Sequence, residues 1–122
     1  MKEAMLKRTR QFALDCWKLC THLPKSREYN AYVNQLIRCS SSVGANYRAS
    51  QRAKSSADFI NKLKIVEEEI DESHYFLDLL KEIYCMESNA LNPDFIRLVK
   101  EANEITAITV ASLKTARIHN KS

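Results

Sequence analysis

Apolar residues recur along this chain at steps of three and four, the spacing that keeps one face of a helix buried. Leu36, Ser40, Val43 and Tyr47 follow it, and after a short break so do Phe59, Leu63, Val66 and Ile70. Between the two runs sits Arg52-Ala53-Lys54-Ser55-Ser56-Ala57-Asp58. Ser55 is placed to cap a helix, and Asp58, three residues later, to answer it as a capping box. Residues 35 to 72 therefore predict a helical hairpin. Upstream, Met5, Phe12, Cys16, Leu19 and Leu23 mark the buried side of a first helix over about residues 2–22. Trp17 widens that side, and Pro24 stops the helix because it has no backbone N–H to give. The second helix spans about 26–53, led by Tyr29 and Val33.

The third helix spans about 56–86 and carries two seams, one through Leu77, Leu80 and Tyr84, the other through Ile65, Phe76, Leu79 and Ile83. Two seams mean cover on two sides. Asn92 is placed to cap a fourth helix over about 93–118, with Pro93 in the first helical position. Phe95, Leu98, Ala102, Ile105, Thr109 and Leu113 form its inner seam. Four helices with short connections predict an all-α, antiparallel up-down-up-down four-helix bundle, with residues 1–122 as one domain.

Composition agrees with helices and narrows the classes. The chain has 122 residues with one Gly and two Pro, too few for a rich set of β-turns. Cys16, Cys20, Cys39 and Cys85 contain no CxxC pair, so they read as reduced core thiols. The opening MKEAMLKRTRQ has no apolar run behind its charges and is not a signal peptide. No apolar stretch approaches the ~18 residues of a membrane span. The expectation is a soluble cytoplasmic protein that does not enter a membrane.

Catalytic chemistry is not written in the chain. A di-iron bundle needs paired Glu-x-x-His motifs, whereas only Asp71-Glu72-Ser73-His74 comes near, once. Helical-bundle ribonucleases place an arginine a few residues before a histidine, and none of His22, His74 or His119 has one four to six positions upstream. There is no Gly-rich phosphate loop. The reading is a non-enzyme with no metal and no cofactor.

Small residues suggest close packing instead. Ser41, Gly44 and Ala45 lie in a stretch of helix two that is nearly all small, and Gly44 costs about 1 kcal/mol of helix propensity relative to alanine. On helix four, Ala107, Ile108, Val110 and Ala111 add apolar groups outside the inner seam. In a four-helix domain such extra faces are most simply covered by another subunit. These seven residues are the expected interface of a homo-oligomer.

Charge is polarised more than the net +4 implies. In an up-down-up-down bundle the start of helix one, the end of two, the start of three and the end of four share a pole. That pole collects Lys2, Lys7, Arg8 and Arg10, then Arg48, Arg52 and Lys54, then Lys62 and Lys64, then Lys114, Arg117 and Lys121. Only Glu3 and Asp58 oppose them there. Such a cluster suits a phosphate backbone, RNA or DNA, although part of it also complements the C-terminal dipoles of helices two and four. The acids Glu67, Glu68, Glu69, Asp71 and Glu72 collect on helix three, as a solvated face that partly meets helix two. Folding the hairpin about Lys54 and Ser55 sets Arg38 opposite Asp71 and Glu72, so an ion pair with one of them is expected.

Gln35-Leu36-x-Arg38-x-Ser40-x-Ser42-Val43-x-x-Asn46, then Arg52, then Ser55-x-x-Asp58-Phe59, with Leu63 and the acids through Glu72, make a recognisable pattern. Residues 35 to 80 resemble the small four-helix-bundle proteins encoded in intervening sequences of bacterial large-subunit ribosomal RNA genes. They also resemble a related branch, the accessory variability determinant of diversity-generating retroelements. The subgroup with Ala45-Asn46-Tyr47-Arg48-Ala49 and Arg52-Ala53-Lys54-Ser55 is closest. Many members have Asn-Ile-Ala-Glu-Gly where this chain has Asn46-Tyr47-Arg48-Ala49-Ser50, so no role of that glutamate carries over. The resemblance implies a ring-shaped homo-oligomer, notably a pentamer, without general enzymatic activity, and nucleic-acid binding for the retroelement branch. Residues and resemblance together give a homo-oligomeric scaffold that binds RNA or DNA at a basic pole. The alternative is a protein-binding adaptor that docks an enzyme such as a reverse transcriptase without touching nucleic acid.

Overall fold

A computed structural model describes residues 2–121, the side chain of Lys121 excepted. Four helices follow one another: α1 (Lys2–Thr21), α2 (Arg27–Ser50), α3 (Ser56–Ser88) and α4 (Pro93–Lys121). Each packs on its neighbours in the chain, and α4 closes the ring against α1, while the diagonal pairs do not touch. That is the expected antiparallel up-down-up-down bundle, with helix ends within a few residues of those read from the sequence.

The ends form for local reasons. Ser26 is extended and its hydroxyl accepts from the Tyr29 N–H at 3.1 Å, so α2 starts just after Pro24-Lys25. At α3 the Ser55 hydroxyl accepts from the Asp58 N–H at 3.1 Å, and the Asp58 carboxylate accepts from the Lys54 N–H at 3.1 Å. The return bond thus reaches one residue further back than in an ideal capping box. α2 stops at Ser50, short of the expected Ala53, and residues 51–53 continue only as turns bonded to the carbonyls of Tyr47 through Ser50. α3 ends on Asn89 in the left-handed region (φ 55°), a conformation asparagine tolerates. The Asn92 side chain accepts from the Asp94 N–H at 2.9 Å and opens α4.

The core runs the length of the bundle. Phe12, Leu36, Leu63, Leu77, Phe95 and Leu98 are among its fully buried side chains. Polar residues inside the seams are satisfied within their own helices. Thr9 donates to the Met5 carbonyl, Ser73 to Glu69 and Thr109 to Ile105, each at 2.8 Å. Trp17 departs from expectation. It is 57% exposed, because it lies more than a third of a turn off the line through Phe12, Cys16 and Leu19. Gly44 has a packing reason inside the chain. A methyl group there would meet the Thr9 backbone and hydroxyl of α1 at 3.4 Å, so α1 and α2 approach closely at this point.

α1 and α4 make the thinnest contact of the ring, and charges hold it together. Arg8 grips Glu101 with two bonds of 2.7 Å and reaches Glu104 at 3.3 Å. Arg97 meets Asp15 at 3.2 Å.

Candidate nucleic-acid interface

The turn between α2 and α3 sets the site. The last turn of α2 carries exposed Arg48, and the turn residues whose N–H groups bond its final carbonyls bring exposed Arg52 beside it. Cations are favoured at that end by the helix dipole. The capped start of α3 returns Lys62 to the same side. Two shallow depressions adjoin here. One, of about 530 Å³, lies between the start of α1 and the end of α2 and is lined by Lys2, Arg10, Arg48 and Arg52, with Glu3 on its wall. The other, of about 620 Å³, lies between the end of α2 and the start of α3 and is lined by Arg48, Arg52, Lys54 and Lys62, with Asp58. Arg48 and Arg52 belong to both.

None of these cations has an ion-pair partner among the described residues, while Arg8, Arg27, Arg38 and Arg97 elsewhere on the bundle are occupied by carboxylates. The Asp58 carboxylate accepts from the Lys54 backbone and helps fix the turn. The depressions therefore gather positive charge that the chain leaves uncompensated.

The expected basic pole is only partly assembled. Arg10, Arg48, Arg52, Lys54 and Lys62 come together. Lys7 and Arg8 instead line a mixed-charge cleft between α1 and α4 with Asp15, Arg97, Lys100, Glu101 and Glu104. Arg8 is neutralised there, and the Glu101 hydrogen bond holds its guanidinium charged well above the ordinary range. Glu101 and Glu104 of α4 thus oppose the pole beside Glu3 and Asp58. Lys114 and Arg117 stand apart too. Glu101 is level with Arg8, and Lys114 lies thirteen residues further on, about 20 Å along the helix. α4 thus runs past the start of α1, and its last turns line a third groove of about 840 Å³ with Phe59, Ile108, Ala111 and the α2–α3 turn, which shares Lys54 and Ser55 with the second depression. Lys64 is exposed on α3 and lines neither depression, and the side chain of Lys121 lies outside the described residues.

Arg38 donates to Glu72, with Glu69 at 3.4 Å, and Asp71 is exposed beside them. The pairing reaches one helical turn back to Glu69 rather than sideways to Asp71, because residues three apart share a face. Of the residues expected between subunits, Ser41, Ala45, Ala107 and Ala111 are exposed, and Ile108 and Val110 are half-buried. Gly44 is half-buried against α1.

The thiols offer no second site. Cys16, Cys20 and Cys39 are buried and free, and Cys85 is exposed. Burial pushes the Cys20 thiol up to about 11 and raises Cys16 and Cys39 in the same direction. Among the described residues no cluster of three His, Cys, Asp or Glu side chains could hold a metal ion, and no helix is long and apolar enough to cross a membrane.

The model of the 23S rRNA-intervening sequence protein family matches residues 2–111, which takes in the whole hairpin and both depressions. The chain belongs to that family. The fold agrees with a solved relative. A crystal structure of a protein of unknown function from the S23 ribosomal protein family of Bacteroides thetaiotaomicron superposes with a TM-score of 0.75 at 27% identity, covering 89% of this chain and 97% of that one. No curated protein matches the chain. The matched span leaves out Lys114 and Arg117, the two basic candidates that stand apart on α4.

Proposed function

We propose that this chain is a non-enzymatic, homo-oligomeric scaffold that holds RNA by its phosphate backbone. Contact is made through Arg48, Arg52, Lys54 and Lys62. One observation carries the reading: these cations converge on two adjoining depressions with no carboxylate bound to them, whereas Arg8, Arg38 and Arg97 each have one. An uncompensated positive patch is stabilised by an anionic ligand. The family's name connects it with ribosomal RNA, which favours RNA among polyanions. No aromatic ring lines either depression, so bases have nothing to stack on there and the contacts are to phosphate. Binding of this kind tolerates sequence and weakens steeply with salt. Assembly of several copies with their basic ends aligned raises affinity by multivalency, without new contacts.

The test is the triple variant Arg48→Glu, Arg52→Glu, Lys54→Glu, measured on bulk RNA at several salt concentrations. The parent should bind with a log–log salt slope that the variant loses by roughly 3, one per phosphate contact. Equal affinity of parent and variant at low salt, with helicity unchanged, ends the proposal. Equal affinity for duplex DNA would broaden the ligand without moving the site.

A further inference from the structure

The outward faces of α1 and α3 carry opposite charge around exposed aromatic rings. On α1, Lys7, Arg10 and Lys18 surround Leu14 and Trp17, which are 39% and 57% exposed. On α3, Glu68, Asp71, Asp78 and Glu82 surround Tyr75, which is 60% exposed and stands edge-on to Phe76 at 5.3 Å. Asp78 has a contact with Lys81 at 3.1 Å, one helical turn away. Lys7, Arg10, Lys18, Glu68, Asp71 and Glu82 have no ion-pair partner among the described residues. An exposed tryptophan beside unpaired charge marks a surface that something covers.

The two faces lie on opposite sides of the bundle, since α1 and α3 are diagonal and do not touch. They also run in the same direction, being two steps apart in an antiparallel succession. Their heights can be matched through α2. Thr9 lies beside Gly44, and Arg38 lies beside Glu72. Counting along the helices from those two contacts places Arg10 level with Glu68 and Trp17 level with Tyr75, to within a residue. Lys18 is then within a turn of Asp78.

We infer that α1 of one copy docks on α3 of the next, with Trp17 against Tyr75, Arg10 against Glu68 and Lys18 beside Asp78, while Lys7, level with Lys64 in the same register, stays with the acids of the α1–α4 cleft. This rests on the oligomeric scaffold proposed above and names the surfaces that build it. A rotation about an axis parallel to the bundle keeps every residue at its own height, so the register within one chain becomes the register between chains. Because the two faces differ, the contact is head-to-tail and propagates into a closed ring or an open fibre, not a two-fold dimer.

The experiment uses the full chain and two surface variants, Trp17→Glu and Tyr75→Lys, each with helicity checked by circular dichroism. Light scattering at micromolar concentration should find the parent larger than a dimer. Each variant should self-associate at least roughly tenfold more weakly, because each sets like charges against each other. An equimolar mixture of the two variants should regain the association that each has lost. At one junction the intact α1 face of Tyr75→Lys meets the intact α3 face of Trp17→Glu, and at the next the introduced carboxylate faces the introduced ammonium. A monomeric parent overturns the inference, and with it the scaffold's assembly. An assembled parent whose two variants keep its size overturns only these surfaces, as does a mixture that stays monomeric. Trp17 is the chain's one tryptophan, so its fluorescence reports the face directly. A monomeric parent whose fluorescence is quenched by RNA would assign the α1 face to nucleic acid and overturn the docking.

Discussion

Tyr29 and the buried cysteines show how single residues are set by what surrounds them. The Tyr29 hydroxyl is buried without a hydrogen-bond partner among the described residues. Burial, with the Glu87 carboxylate nearby, pushes its pKa up to about 12. A buried donor with no partner costs roughly 1–3 kcal/mol. Tyr29→Phe keeps the ring and removes the donor, so it should be neutral or stabilising by up to ~1 kcal/mol in urea unfolding. A loss of stability would mean that the hydroxyl is satisfied. Cys20 gives a pH dependence. Its thiol rises from 9.0 to about 11, chiefly through burial. Between those values the unfolded chain has released the proton that the folded chain keeps, so stability falls as pH rises. A parent that loses melting temperature faster than Cys20→Ala between pH 9 and 11 is the expected outcome.

Among the helices, α1 and α2 approach closely where Gly44 meets Thr9. The 3.4 Å clearance leaves room for one methyl group and no more. Gly44→Ala should therefore be tolerated, gaining up to ~1 kcal/mol of helix propensity. Gly44→Leu has to push the α1 backbone away and should cost roughly 1–3 kcal/mol. Thermal unfolding of both variants separates the two effects, and an alanine variant as damaged as the leucine one would show that the helices cannot yield at all. The same close approach sets the height of α1 against α2. It thereby brings Arg10 to the rim of the depression that Arg48 and Arg52 line.

In the whole molecule, α1 is held well by α2 and thinly by α4, where Arg8–Glu101, Arg8–Glu104 and Arg97–Asp15 bridge the seam. The paired grip of Arg8 fixes geometry as well as charge. Arg8→Ala should cost roughly 1 kcal/mol and speed hydrogen exchange in α1 before any other helix, as expected where few contacts hold an element. Exchange that quickens equally in all four helices would mean that the seam is not a separate unit. Arg8→Lys restores the charge without the fork and should recover only part of the protection.

The sequence by itself determined the helices, their caps and the bundle, because apolar period, Pro24, Ser55 and Pro93 act locally or along one face. It also determined that Arg38 meets the acids of α3, since a hairpin fixes which residues lie opposite. Contacts that depend on how α4 returns to α1 were decided only by the tertiary structure. One-dimensional counting placed Arg8 and Lys114 at one end. The actual stagger gives Arg8 to Glu101 and carries Lys114 about 20 Å beyond. Trp17, expected to widen the buried side of α1, is exposed, and its place off the line through Phe12, Cys16 and Leu19 is legible in the helical period alone. Convergence of Arg10, Arg48, Arg52, Lys54 and Lys62 without carboxylates was half legible. The α2–α3 turn dictates most of it, while the absence of partners is a property of three-dimensional spacing.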